Sequence, residues 1–349
     1  MIAAFRLSFG NARMRARKSR LRNPWEAQVL RGAPDLARFA EALGAPAALS
    51  ESELERVLFD RLLDDYRRVL DGYAPAQPLV RALLARHEVE NLKLGWRALA
   101  RRLPANRWVR LWRPFGGLET LPLESWSEAS SLSDAVRGTA PTPWGPIARG
   151  TLEAHGDDGA AAELALDRFA FTRLAQEAEK LPRRETTARR LVLSVVFERD
   201  LDAFHRAIVF SALSPAVAGS STVRLGNALP GDALQTLAEW RSGPFPLDRR
   251  LFRGVLPTEG AIADWDELRR TLRHERVAAC RRSFAGPPFR LGPAVAFLLL
   301  REAETRGLAA IGFLLASSPA RGLGGEGVDP GVDLRPALDR VCAASLLGG

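Results

Sequence analysis

The chain has 349 residues, 46% of them hydrophobic, and it carries a formal net charge of +9. This composition is sufficient for a buried core, and the two distant cysteines, Cys280 and Cys342, suggest neither a disulfide framework nor a zinc site but small buried residues. The positive charge favours an acidic partner surface or a nucleic acid, although a coding preference for arginine would also produce it.

The first predicted element is a basic helix that runs from near Phe5 to Leu21 and stops before Asn23-Pro24. Its cationic residues precede the first carboxylate, at Glu26, and the candidate partner-binding set is Arg13, Arg15, Arg17, Lys18 and Arg20. Such a helix is compatible with binding to phosphates, to an acidic protein or to a membrane surface, and also with a solvated helix face. No aromatic series is interleaved with the cations, which argues against single-stranded nucleic acid.

After two short helices, predicted over 24–31 and 35–43, the sequence predicts two long helices, over 51–70 and 79–103. An apolar stripe at Leu54, Leu58, Leu62 and Val69 indicates the buried face of the earlier helix. Gly95 in the later helix favours close approach by another helix, and Pro104 ends that helix. Helix-forming residues dominate the whole chain and β-branched residues are sparse, so the sequence predicts an all-α protein.

A helical signature occurs three times along the chain, around Glu88, Asp200 and Glu304. Each acid is followed three residues later by a small or amide residue and then by an apolar residue. These followers are, in order, Asn91 and Leu92, Ala203 and Phe204, and Gly307 and Leu308. Side chains at this spacing lie along one side of a helix. The repeat of about a hundred residues predicts three similar domains, over 1–115, 116–225 and 226–349.

The sequence contains no convincing catalytic, metal or cofactor site. The glycine-rich run 322–327 formally reads G-x-G-x-x-G, but no strand precedes it and Pro330-Gly331 interrupts the helix that would receive a phosphate. The chain has no phosphate-binding loop of the G-x-x-x-x-G-K-[ST] type. Its four histidines are scattered, with no spacing typical of metal ligands or of an activated nucleophile.

No membrane-spanning segment or signal peptide is expected. The longest apolar stretches, 293–300 and 308–316, are interrupted well short of the roughly 20 residues that a spanning helix needs. The N-terminus lacks an apolar core before its cationic run begins. A cytoplasmic location is therefore expected.

Three motifs together resemble the C-type stalk component of prokaryotic V/A-type ATPases, whose family includes the d-type component of eukaryotic V-ATPases. The start of the chain follows the family pattern of an aromatic residue and then N-A-R-V-R-A-x-x-S-x-L, with Met14 in place of valine. The central pattern, acid-x-x-N-[LI]-[KR] leading to an arginine and an alanine, is matched by Glu88, Asn91, Leu92, Lys93, Arg97 and Ala98. The third motif is the terminal helix at 301–304. Ala203 and Gly307 depart from the expected asparagine.

The resemblance implies an all-helical, funnel-like molecule of three similar domains around a pseudo-threefold axis. Such a protein lies at the cytoplasmic face of the membrane, between the central shaft of the soluble ATPase head and the membrane ring of proteolipid subunits. It holds no cofactor, catalyses no reaction and binds no nucleic acid. It transmits torque between ATP turnover and ion movement, and the choice of H⁺ or Na⁺ belongs to other subunits. We expect the five N-terminal cations to contribute to the assembly surface.

Two other classes of function remain open at this point. A basic helical nucleic-acid-binding protein would use the same cations for phosphate contacts and would retard nucleic acid with a steep salt dependence. A helical enzyme whose catalytic residues converge only in space would show a deep pocket that gathers polar groups with perturbed pKa values.

Overall fold

A computed structural model of the chain describes residues 2–19, 21, 33–73, 76–249, 256, 260–287 and 289–317, with the backbone alone for 2–8. The described chain is all-α, as predicted. In chain order the helices are α1 (Ile2–Lys18), α2 (Leu36–Ala42), α3 (Glu51–Gly72), α4 (Gln77–Ala100), α5 (Ala105–Trp108), α6 (Leu123–Ser127), α7 (Leu132–Gly138), α8 (Gly145–His155), α9 (Gly159–Glu179), α10 (Thr186–Val209), α11 (Pro215–Ser220), α12 (Leu225–Ala228), α13 (Gly231–Glu239), α14 (Trp265–Ser283) and α15 (Gly292–Ser317). A 3-10 turn, Val109–Leu111, follows α5.

The chain divides into two compact units. Unit 1 comprises Met1–Ala74 and Asp266–Gly349, and unit 2 comprises Pro75–Trp265. Helices α1 to α3 of the first predicted domain therefore lie in unit 1, and its helix α4 lies in unit 2. The arrangement of three similar domains stays a prediction.

Unit 1 is built on the packing of α15 against α3. Helix α3 begins with a capping box, in which the Ser50 hydroxyl accepts from the Glu53 N–H and the Glu53 carboxylate accepts from the Ser50 N–H. The predicted stripe of α3 is buried, and its Leu54 and Leu58 join Phe39 of α2 and Ile311 of α15 in one apolar cluster. Burial of this shared surface fixes the three helices together.

Unit 2 is organised around α9, which packs against both α4 and α10. Ion pairs join Lys93 to Asp167 and Arg97 to Glu163, so the residue number rises along α4 as it falls along α9. The two helices are therefore antiparallel. Pairs from α10 to the same two acids, by Arg199 and by Arg206, give α10 the same direction as α4. The C-terminal ends of α4 and α10 thus lie beside the N-terminal end of α9.

Gly95 on α4 allows a close approach, as the sequence predicted. A Cβ atom at this position would lie 2.5 Å from the indole of Trp126, which belongs to the short helix α6 and is fully buried. The glycine is needed for space, because a methyl group cannot occupy the volume that the indole fills.

Both long helices of unit 2 that flank α9 end at a non-glycine residue with positive φ. These residues are Arg102 after α4, with φ 54°, and Ala212 after α10, with φ 49°. The Leu103 N–H donates back to the Ala98 carbonyl across the first of these turns. A left-handed residue at the end of a helix lets the last carbonyl groups accept hydrogen bonds from the residues that follow.

Among the described residues, no helix has the combination of length and hydropathy that crossing a bilayer requires.

Candidate functional site

The N-terminal cations are placed very differently by the structure, although their sequence pattern is uniform. Arg13 is exposed, whereas the Arg15 Nη2 donates to the Gly286 carbonyl at 2.7 Å. Arg17 forms an ion pair of 2.5 Å with the buried Asp65. Lys18 is exposed, with its Nζ 5.0 Å from the centre of the Phe284 ring. Arg20 lies outside the described residues.

Helix α1 is also held by the buried Asn11. Its Nδ2 donates to the Arg290 carbonyl at 2.9 Å, and its Oδ1 accepts from the Tyr73 hydroxyl at 3.2 Å. The Tyr73 ring also packs over Gly10, where a Cβ atom would lie 2.7 Å from the ring. Burial raises the pKa of Tyr73, so its hydroxyl remains a donor at neutral pH. Asn11 and Gly10 therefore help to fix α1 within unit 1.

The signature acid Glu88 holds the loop between the 3-10 turn and α6. Its buried carboxylate accepts hydrogen bonds from the backbone N–H groups of Thr120 and Leu121. It also accepts from the Thr120 hydroxyl at 2.7 Å and from the Trp144 indole N–H at 2.9 Å. Asn91 forms two hydrogen bonds with the backbone of Arg113, which lies earlier in the same loop. Its Nδ2 donates to the Arg113 carbonyl and its Oδ1 accepts from the Arg113 N–H.

Asp200 performs the same task in the second copy of the signature. Its carboxylate accepts from three consecutive backbone N–H groups, those of Val223, Arg224 and Leu225, at 2.7–3.0 Å. Burial raises the pKa of Asp200 above its ordinary value, and the three N–H groups offset only part of that rise. At the position of Asn91 the second copy has Ala203, whose side chain forms no hydrogen bond. Of the two corresponding residues in this copy, Asp200 alone therefore holds the second loop.

The other signature residues are mostly buried as well. Leu92, Phe204 and Leu308 lie in the core, and Glu304 is buried with an ion pair to Arg301 on the same helix. Arg97 differs, because its side chain is 47% exposed and pairs with Glu163 at 3.1 Å. The signature residues that the structure describes are therefore mostly part of the protein interior, and Arg97 is the one that lies at the surface.

In the described part of each unit, a buried aspartate binds cations from two other helices. In unit 1, Asp65 of α3 binds Arg17 of α1 and Arg301 of α15, the latter at 2.8 Å. In unit 2, Asp167 of α9 binds Lys93 of α4 and Arg199 of α10. Removing one partner of a buried ion pair strongly destabilises the fold, because the other charge is then left buried without a counter-charge.

The sequence reasoning overlooked a second basic segment that is longer than the first. No carboxylate occurs between Glu90 and Glu119, and this stretch contains Lys93, Arg97, Arg101, Arg102, Arg107, Arg110 and Arg113. Lys93 is buried, but five of these arginines are exposed, and four of them, Arg101, Arg102, Arg107 and Arg110, lie beyond the end of α4. Counting acidic and basic residues along the chain, without regard to the predicted helices, would have revealed this segment.

Comparison with known proteins identifies the relatives of this chain. A family model described as ATP synthase (C/AC39) subunit matches residues 10–318. The chain belongs to this family. The resemblance inferred from the sequence motifs is therefore confirmed, and this C/AC39 protein is a component of the V/A-type rotary ATPases. Membership implies association with the ATP synthase complex, which is attached to a membrane. A search of curated proteins found no match.

The described signature residues and N-terminal cations of this C/AC39 chain take part in packing, hydrogen bonds and ion pairs. Among the residues that the structure describes, no group of three or more His, Cys, Asp or Glu side chains is arranged to bind a metal ion. Cys280 is a buried residue, as predicted, and burial raises the pKa of its thiol to about 12. This thiol is therefore neutral at physiological pH and a poor nucleophile. Cys342 lies outside the described residues.

Proposed function

We propose that this C/AC39 protein is the central-stalk coupling component of a V/A-type ATPase. In this role it joins the rotating shaft of the soluble head to the membrane proteolipid ring and transmits torque, without catalysing a reaction itself. It would lie at the cytoplasmic face of the membrane and bind both partners through protein contacts. The observation that carries the proposal is the family match over residues 10–318.

The internal construction of both units supports a mechanical role. Torque can pass only through a part that resists deformation, and close-packed interiors have low compressibility. In each unit a buried aspartate ties three helices together, and in unit 2 the carboxylates of Glu88 and Asp200 fix the chain just before α6 and at the start of α12. Such contacts hold helices and loops at fixed distances.

We infer that α1 contributes to assembly mainly through Arg13. Arg15 and Arg17 are bound to other parts of unit 1, and Lys18 lies over Phe284. Arg13 is exposed, and Phe9 one turn earlier on the same face is 63% exposed. A charged side chain beside an exposed aromatic ring is a common composition of protein interfaces.

Affinity purification tests the coupling role. The tagged chain is purified from gently solubilised membranes of its own cells, and the proteins that accompany it are identified by mass spectrometry. We expect both ATPase-head and proteolipid subunits. Their absence, combined with retardation of nucleic acid that weakens steeply with salt, would instead support the nucleic-acid-binding alternative.

The contribution of α1 is tested by Arg13→Glu, with Arg149→Glu as the matched control. Both arginines are exposed on helices, and both substitutions change the charge equally. We expect a lower yield of ATPase subunits only with Arg13→Glu. Equal yields from the two variants would remove Arg13 from the interface.

A further inference from the structure

The acid-free segment of unit 2 forms an exposed basic surface with apolar residues within it. We call it the α4-end surface and define it by Arg101, Arg102, Leu103, Arg107, Arg110 and Leu111. All six side chains are exposed, with Leu111 at 54% and Leu103 at 38%. We propose that this surface binds a carboxylate-rich, partly apolar segment of another protein of the ATPase complex. The proposal rests on the coupling function above and names a docking site for it.

The charge of the α4-end surface is not neutralised by its own segment. No acid lies between Glu90 and Glu119, and the ion pairs to Glu90 and Glu163 involve only Lys93 and Arg97, before the surface begins. At the same end of unit 2, Asp158 is exposed, but its carboxylate caps α9 by accepting from the N–H groups of Ala160 and Ala161. Among the described residues, the exposed arginines Arg101, Arg102 and Arg107 form no ion pair, and an acidic partner gives the required complementarity.

The position of the tryptophans decides between classes of partner. Trp108 and Trp112 lie in the same segment, but they are only 2% and 6% exposed, and their rings are 6.0 Å apart. They cannot stack on unpaired bases, and they are not available to insert at a lipid interface. The exposed apolar groups are two leucines among arginines. The arginines can bind carboxylates and the leucines can contact apolar side chains, so this composition favours a protein segment that carries both.

The backbone holds this surface in a defined shape. The Leu103 N–H donates to the Ala98 carbonyl at 2.8 Å, and Arg102 occupies the left-handed turn that ends α4. Further on, the Trp112 N–H donates to the Val109 carbonyl, and Asn91 holds Arg113 at both its N–H and its carbonyl. Because both ends of the segment are fixed to α4, the arginines are presented without a folding cost on binding.

The decisive variant is Arg101→Glu/Arg107→Glu, in which Arg102 is left intact because of its positive φ. The control is Arg149→Glu/Arg168→Glu, at two exposed helical arginines of the same unit. Each pair lowers the net charge from +9 to +5, since each substitution changes it by −2. Circular dichroism and thermal unfolding of both variants confirm that each one is folded.

Each form is expressed in its own cells, the ATPase complex is isolated through a head subunit, and the retained chain is measured over a series of salt concentrations. We expect the Arg101/Arg107 variant to fall at least about tenfold in retention, with the control close to the wild type. A photo-crosslinking residue in place of Leu111 should attach to one protein of the complex. Equal retention of both variants, or no crosslink to any protein of the complex, would overturn the proposal.

Two outcomes separate the alternatives. If the wild-type chain is absent from the isolated complex, the coupling function fails and the α4-end proposal fails with it. If the wild-type chain is retained and the Arg101/Arg107 variant is retained equally, but only the variant stops floating with vesicles of an anionic phospholipid, the surface binds lipid headgroups and the protein-partner proposal is wrong.

Discussion

The Glu88 carboxylate fixes the loop before α6 through several donors at once, so we expect its loss to lower the stability of the fold strongly. Glu88→Ala leaves the N–H groups of Thr120 and Leu121 without their acceptor, whereas the indole of Trp144 keeps the Thr120 hydroxyl as a second acceptor. Unsatisfied buried donors cost about 1–3 kcal/mol each, so we expect a loss of about 2–3 kcal/mol in the free energy of unfolding. Urea denaturation measures it. The control, Glu128→Ala at an exposed helix end, should change it by no more than about 0.5 kcal/mol.

At Asp200 the prediction concerns pH. Because burial raises the pKa of Asp200 in the folded state, the folded chain binds its proton more tightly than the unfolded chain does. The contribution of Asp200 to stability is therefore greatest at acid pH and falls as pH rises from the ordinary aspartate pKa through the raised folded value. We expect the stability deficit of Asp200→Asn to be smaller at pH 7 than at pH 5. Urea titrations at both pH values test this, and a deficit that grows with pH would contradict it.

At the scale of elements, the contact between α4 and α6 depends on the absence of a side chain at Gly95. Gly95→Ala places a methyl group against the Trp126 indole, and overpacking of this kind costs about 1–3 kcal/mol. Gly150→Ala on α8 is the matched control, because nothing lies within 4 Å of its Cβ position. In a helix interior this control should gain about 0.5–1 kcal/mol. Thermal unfolding should therefore move in opposite directions for the two variants.

The link between α4, α9 and α10 depends on Asp167. Asp167→Ala leaves the charge of Arg199 without its carboxylate, while Lys93 keeps its pair with Glu90, and we expect a loss of about 3 kcal/mol in the free energy of unfolding. Glu177→Ala on the same helix removes a pair with the well-exposed Lys180 and should cost at most about 1 kcal/mol. Urea denaturation of both variants measures the difference.

A triple replacement tests whether charge burial is the cause of that loss. Asp167→Leu combined with Lys93→Met and Arg199→Met removes all three charges, and apolar replacements of similar volume are often neutral or stabilising. We expect the triple variant to recover most of the stability that Asp167→Ala loses. A triple variant as unstable as Asp167→Ala would assign the cost to packing rather than to charge.

At the scale of the whole molecule, the proposed function predicts how the chain is attached to membranes. A coupling protein of this kind is held by protein contacts, with charge among them, and not by lipid. We expect an alkaline carbonate wash of isolated membranes to release the chain while the proteolipid subunits stay in the pellet. Retention of the chain after this wash, measured by immunoblot, would contradict attachment through protein contacts alone.

Much of the fold was predictable because its signals are local. Helix propensity, the apolar stripe of α3 and the space at Gly95 are all properties of residues close together in the sequence. The candidate surfaces were less predictable. Arg17 and Arg13 look alike in the sequence, yet Arg17 binds an aspartate 48 positions away and Arg13 is exposed. The basic segment after Glu90 was overlooked because its cations cross a helix end, a short helix and a turn.

By itself the sequence determined that the chain is all-α and which family it belongs to, because helix formation and the signature motifs depend on neighbours three and four residues apart. Tertiary structure alone decided which charges are internal and which are available to a partner. Lys93 meets Asp167 across 74 residues, and Glu88 meets Leu121 across 33. Pairings over such distances arise only when helices pack, since packing brings distant residues together and removes water from between them.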